Sequence, residues 1–297
     1  MCSIWLETIA LSTKTMARLI GMPLVGCASH RLNLAVREHL APYDDNLEQV
    51  QTLLRKLRTL KQAAKLRQKT PLEPVLHQDT RWSSTYAMLE RYFQLYEHLS
   101  TVDEELEDLL PSRATHRSLR QLFDELKDVE SISKKLHSSD LTMLDARDLL
   151  DDLLEIQPSF AEYLAPNAAI VQSPDFEAAA VRVLGGDVVS LSTSEKAALQ
   201  PFRRSRSTEA SREVVLDDQS SFAERILKRR KVDVVPIIYV ALSAIPPTPS
   251  VVERLFSSAR AVLRHERRRL SPLTLEMILF LKVNCSYWNV ATVDGCL

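Results

Sequence analysis

Cys27 and His30 have the spacing of a metal-binding pair. A structural zinc site generally takes four ligands, however, and no second pair of suitable spacing follows. No metal is therefore expected: Cys27 reads as a small buried hydrophobe and His30 as a residue at a helix start. Ser250-Val251-Val252-Glu253 has the pattern of a capping box, in which the carboxylate at the third helical position satisfies a backbone amide. Arg260, Arg264, Arg267, Arg268 and Arg269 concentrate positive charge in about ten residues. Such a loop either neutralises nucleic-acid phosphates or stands solvated as a basic loop. Lys228-Arg229-Arg230-Lys231 has the composition of a nuclear-import signal or a phosphate contact. Trp82, just before a helical pattern, reads as an anchor for that helix, with Arg81 paired to Asp79.

The elements that must position these residues are mostly helical. Only 5 of 297 residues are glycine, 45% are hydrophobic and the net charge is -1. That balance suits a soluble core of one large domain or two ordinary ones, and it excludes a molecule that binds nucleic acid by overall charge. Cys2, Cys27, Cys285 and Cys296 are dispersed, so no disulfide framework and a reducing intracellular compartment are expected. No run approaches the roughly 20 apolar residues of a membrane span, so no membrane partner is expected. Glu7 and the lack of a basic n-region speak against a secretory signal.

Short buried strands are expected at Pro23–Cys27 and Pro74–His77, with helices over about 30–40 and through Leu53–Leu57 to about Gln68. A further helix starts at Ser83 or Ser84, with Leu89, Phe93 and Tyr96 on one face. Residues 102–165 read as acidic helices broken at Pro111, Ser138-Ser139-Asp140 and Pro158, with a stripe of Leu119, Leu122, Phe123 and Leu126. This segment is expected to pack on itself. Residues 166–221 carry Pro, Ser, Gly185-Gly186 and scattered charge, and are expected to be partly disordered. In the last helix, Leu275, Ile278, Leu279 and Lys282 share one face, and Met277, Leu281, Cys285 and Trp288 another. Apolar residues lie nearly all round, so this helix needs covering on more than one side. A helix over Glu253–Leu263 offers one cover through Phe256, Ala259 and Leu263.

The run Pro246-Pro247-Thr248-Pro249-Ser250-Val251-Val252-Glu253-Arg254-Leu255-Phe256-Ser257, the basic loop from Arg264 to Pro272 and the apolar helix from Leu273 to Trp288 together resemble the C-terminal signature of hAT-superfamily DNA transposases. Gly26-Cys27-Ala28-Ser29-His30-Arg31-Leu32-Asn33-Leu34 resembles that family's Cys-x-x-His segment. Asp79-Thr80-Arg81-Trp82-Ser83-Ser84-Thr85-Tyr86 resembles its Thr-Arg-Trp segment. The resemblance implies a mostly α fold with a minor β component. A partial ribonuclease H-like core would occupy residues 1–100, a helical insertion 101–165, a flexible linker 166–235 and the dimerisation region 236–297.

It also implies roles. Glu253 stands where the family has the third of three carboxylates that hold two divalent metals for phosphoryl transfer. The second acid's position falls on Thr8, beside Glu7, and the first acid's position would lie before residue 1. Transposase activity is therefore not expected, and Mg or Mn enters only if Glu7 or another acid rebuilds the site. Arg81 and Trp82 match a block placed near the transposon end, where the ring can stack on an extruded base; Arg264, Arg267, Arg268 and Arg269 would add phosphate contacts. Phe256, Leu275, Ile278, Leu279, Leu281 and Trp288 would form the self-association surface. The expectation is a nuclear, transposase-derived homodimer with DNA as a second partner and no catalysis. An active metal-dependent transposase and a decayed, poorly folding fragment are the alternatives. A BED-type zinc finger, frequent in the family, is not visible.

Overall fold

The computed structural model describes residues 14–78, 82–99, 104–138, 140–203, 237–248, 259–263 and 270–284. The chain divides into two compact units, Met1–Pro247 and Thr248–Leu297.

The first unit is helical throughout its described residues. After a helical stretch at 14–19 come α1 (Ala28–Leu40), a 3-10 turn (Ala41–Tyr43), α2 (Asp44–Leu57) and α3 (Leu60–Arg67). α4 (Ser83–Tyr96), α5 (Glu104–Glu107), α6 (Arg113–Leu136) and α7 (Met143–Ile156) follow. A 3-10 turn (Pro158–Phe160), α8 (Ala161–Leu164), α9 (Pro174–Leu184) and α10 (Thr193–Ala198) come next, then 3-10 segments at Gln200–Phe202 and Ile237–Ala244. Four of these starts have a side-chain cap. Cys27 Sγ accepts from His30 N at α1, and Ser112 Oγ accepts from Thr115 N at α6. Thr142 with Asp145 and Ser192 with Glu195 form capping boxes at α7 and α10, each satisfying two otherwise orphaned amides. The cationic helix expected up to Gln68 is two helices, broken at Arg58-Thr59, where Thr59 is extended.

One large core joins α1, α2, α4, α6 and α7. Leu32, Val36, Leu53, Leu54, Met88, Leu89, Leu122, Leu126 and Leu149 are all at most 1% exposed. The stripe expected in α6 is buried along its full length, from Leu119 to Leu136. α6 packs against α4 and α1 as well as α7, so residues 101–165 pack on the rest of the core and not only on themselves. The boundary expected at 100/101 runs through the middle of one core.

A second, smaller core corrects the expected linker over 166–235 for its described part. Phe176, Ala179, Ala180, Val183, Leu191 and Leu199 are buried there with Tyr239 and Leu242. Gly185-Gly186, read as a mark of disorder, instead ends α9. Gly186 takes φ +83°, Gly186 N donates to Val183 O, and Asp187 N donates to Arg182 O, the two bonds of a Schellman cap. Residues 204–236 lie outside the described residues.

The expected strands are also corrected. Among the described residues there is no strand, and 23–27 and 74–77 are irregular. Their backbone groups are met by side chains: Leu24 N donates to Ser173 Oγ, Gly26 N to Glu177 Oε1, and His77 N to Gln51 Oε1. An extended segment whose amides are satisfied by helix side chains needs no neighbouring strand. The ribonuclease H-like sheet is thus not part of what the described residues form.

In the second unit residues 259–262 are helical, and α11 (Pro272–Val283) follows, with Ser271 Oγ accepting from Thr274 N at its start and proline in its first turn. Leu273, Met277, Phe280 and Leu281 are 66%, 57%, 65% and 42% exposed.

Candidate functional site

The best-formed cavity, about 270 Å³, is a crevice between the start of α1, one face of α7 and one face of α9. Its walls are largely apolar (Val25, Ala28, Met143, Leu150, Val181 and Pro247), and five charged side chains line it: Arg31, Arg147, Asp151, Glu177 and Arg182. α1 delivers Arg31 because its core-facing positions run Ala28, Arg31, Leu32, Ala35, Val36, placing a guanidinium in an apolar phase. Arg31 is 4% exposed. Its Nε donates to Tyr163 O and its Nη2 to Ala165 O, both at 2.8 Å, while Nη1 lies 3.4 Å from Glu177 Oε2. Arg31 therefore fastens the end of α8 and the face of α9 to α1.

Glu177 answers from α9. Its other oxygen accepts Gly26 N at 3.2 Å, beside the start of α1. Burial pushes its carboxyl above the usual range, opposed by the Gly26 amide and by Arg31. Burial likewise lowers the Arg31 guanidinium from its ordinary value. Arg147 Nη1 donates to Leu164 O at 2.7 Å, and its Nη2 lies 2.7 Å from Asp151 Oδ1. Arg147 Nε is buried without a hydrogen-bond acceptor. At the rim, Arg182 Nη1 meets Glu195 Oε2 at 2.7 Å.

This arrangement is suited to holding helices together. Each carboxylate in the crevice stands beside an arginine, and no group of three or more His, Cys, Asp or Glu among the described residues could hold a metal ion. Cys27, the nearest of the sequence-predicted residues, spends its sulfur on the α1 cap, with His30 supplying the amide and an exposed side chain. That pair is a cap in the described structure.

Trp82 is 6% exposed and belongs to the large core, and its carbonyl accepts Thr85 N and Tyr86 N as α4 starts. The ring lies where a helix anchor would. Leu275, Ile278 and Leu279 are half-buried on α11 and Leu281 is exposed. Arg81, Glu253, Phe256, Arg264, Arg267, Arg268, Arg269 and Trp288 lie outside the described residues. Arg31, Arg147 and Glu177 were missed by sequence reasoning. A signal existed for Arg31, a charge at a core-phase position; nothing local marks its carboxylate partner Glu177, 146 residues away, or Arg147 in the same crevice.

No helix of the described residues is long and apolar enough to cross a membrane. No curated protein matches the sequence. Residues 25–133 match the family described as the ZBED1 RNase-like helical domain, a hAT-related, transposase-derived family, and that span holds α1 to α5 and most of α6.

Proposed function

We propose that this chain is a transposase-derived protein that self-associates through its C-terminal helix, contacts DNA and does not carry out transposition, with a nuclear location in keeping with Lys228-Arg229-Arg230-Lys231. The observation that carries the reading is the exposed stripe on α11. Leu273, Met277, Phe280 and Leu281 stand at i, i+4, i+7 and i+8, one helical face. A contiguous apolar face of this kind is characteristic of an interaction surface, whereas scattered exposed leucines are not. Its place in the region that resembles the hAT dimerisation region supports a second copy of the chain as the occupant.

Three of the four stripe residues, Leu273, Met277 and Phe280, were not among the expected dimerisation residues; Leu275, Ile278 and Leu279 occupy the more covered side. Leu281 belongs to both sets. The loss of catalysis is supported by Thr8, a neutral side chain at the position of an aspartate, and by the arginine partners of Glu177 and Asp151 beside the Cys27 segment.

Light-scattering chromatography of wild type, Phe280→Asp and Leu279→Asp tests the assembly. The expected result is a wild-type dimer that Phe280→Asp turns into a folded monomer, with a smaller effect from Leu279→Asp. A wild-type monomer across accessible concentrations would refute self-association. Incubation of the protein with supercoiled plasmid and Mg2+ or Mn2+ tests inactivity; nicking that disappears in Glu253→Gln would establish the active enzyme instead.

A further inference from the structure

Residues 55–69 hold seven basic side chains and no acidic one (Arg55, Lys56, Arg58, Lys61, Lys65, Arg67, Lys69), in a chain whose net charge is -1. They run from the end of α2 across the break at Arg58 and along α3 to Lys69, just past its end. Gln62 and Leu66 turn inward, while Arg58, Lys61, Lys65, Arg67 and Lys69 are exposed. Among the described residues, Glu48, Glu73 and Glu105 pair with members of the group. Lys61 and Lys65 stand four residues apart on one helical face, about 6 Å along the axis. Arg58 and Arg67 line a cleft of about 200 Å³.

Helix stability accounts for only part of this charge: Arg55, Lys56, Lys65 and Arg67 lie in last turns, where the dipole favours a cation. The first turn of α3 has no acidic residue and no side-chain cap, yet it holds Lys61, where the helix dipole disfavours a cation. What answers Lys61 is Glu105, on α5, 44 residues later. Glu105 Oε1 pairs with Lys61 Nζ, and Oε2 lies 3.1 Å from Lys56 Nζ and 3.3 Å from Gln62 Nε2. These bonds hold the Glu105 carboxyl at about 2, far below its usual range. Glu105 belongs to the run Asp103-Glu104-Glu105-Leu106-Glu107-Asp108, five carboxylates in six residues. A carboxylate that bridges two lysines occupies the donors a phosphate would use.

We infer that the α2–α3 basic face is a docking site for the phosphate backbone of duplex DNA, and that Glu105 is an internal competitor that weakens it until the duplex displaces the acidic helix. The site deepens the DNA-contact half of the proposed function and rests on it. It is separate in sequence from the Arg81-Trp82 block and the Arg264–Arg269 loop. Backbone contact reads no sequence, so the face adds affinity and salt dependence without specificity.

Fluorescence anisotropy with a short labelled DNA duplex of random sequence, across a salt series, tests it with the full chain. The variants are Glu105→Gln, the double variant Arg58→Gln/Lys65→Gln, the triple variant Arg267→Gln/Arg268→Gln/Arg269→Gln, and the exposed Glu162→Gln as a control for net charge; circular dichroism confirms that each is folded. Glu105→Gln is expected to tighten binding severalfold where Glu162→Gln does not. The double variant is expected to reduce the slope of log affinity against log salt by about 2, one unit per lost phosphate contact. Equal effects of Glu105→Gln and Glu162→Gln would overturn the competitor role. An unchanged slope in the double variant, with binding lost in the triple variant, would overturn this face and leave DNA binding by the C-terminal loop intact. Absence of salt-dependent binding by wild type would remove both. Tighter binding of a matched RNA duplex, with the same residue dependence, would overturn the assignment to DNA.

Discussion

α6 and α11 are both leucine-bearing helices, yet one is fully provided for and the other is not. In α6 the apolar residues form a single stripe from Leu119 to Leu136, and its neighbours cover all of it. α11 has apolar residues on every side, and Leu273, Met277, Phe280 and Leu281 remain exposed. The lesson is geometric. A one-stripe helix can be satisfied by its own domain, whereas a helix apolar all round must find a second surface or leave one bare. A body that closes its own cores can be a stable scaffold, and a helix that does not is the natural place for assembly.

The sharpest way to break this comparison is at the buried charge of the body. Arg31→Met removes the donors to Tyr163 O and Ala165 O and strands Glu177 in its crevice. Losing one partner of a buried pair costs about 3–5 kcal/mol, read by urea denaturation; an unchanged midpoint would show that the crevice is not a fastening. Next comes a matched pair of truncations. Leu122→Ala, at a fully buried position, should cost about 2–5 kcal/mol. Phe280→Ala, at an exposed position, should change monomer stability by about 0.5 kcal/mol or less while weakening assembly. Equal losses of stability in the two would erase the distinction between α6 and α11.

Smaller effects belong to the polar contacts. Tyr92 is fully buried, and its hydroxyl lies 2.8 Å from His116 Nδ1, so it donates there when His116 is the neutral Nε2–H tautomer. Tyr92→Phe should cost about 1–3 kcal/mol by leaving that nitrogen without its donor. Burial and the nearby Arg120 lower the His116 pKa below its ordinary 6.5. A lowered pKa means the folded state prefers the neutral ring. That contribution is complete above pH 6.5 and is lost as pH falls through the folded-state value. The melting temperature of wild type should fall more than that of His116→Gln between pH 7.5 and pH 5, about the ordinary His pKa and below it; parallel curves would refute the coupling. The smallest test compares caps. Thr142→Ala should cost about 1 kcal/mol of the body's stability. Ser271→Ala should fray α11 by a similar amount, about 1 kcal/mol, without moving the body's unfolding midpoint.

Periodicity by itself determined most of the helices. The α6 stripe, the breaks at Pro111 and Pro158, the start of α4 near Ser83 and the all-round apolar character of the last helix follow from spacing within one segment, which a linear sequence records. The Cys27 block and the Arg81-Trp82 block fall within the span matched to the transposase-derived family. What only the tertiary structure decided are relations between distant segments. Pro23–Cys27 has the composition of a strand, but Ser173 and Glu177, about 150 residues later, meet its amides and remove the need for a sheet. Gly185-Gly186 looks like a mark of disorder until α9 precedes it, and then it is a helix end. Arg31 looks like a surface charge until Tyr163, Ala165 and Glu177 surround it. Glu105 is one acid in a solvated run until the fold sets it against Lys56 and Lys61. Local pattern selects the helix because its hydrogen bonds close within a few residues; which charges meet is settled only when the helices pack.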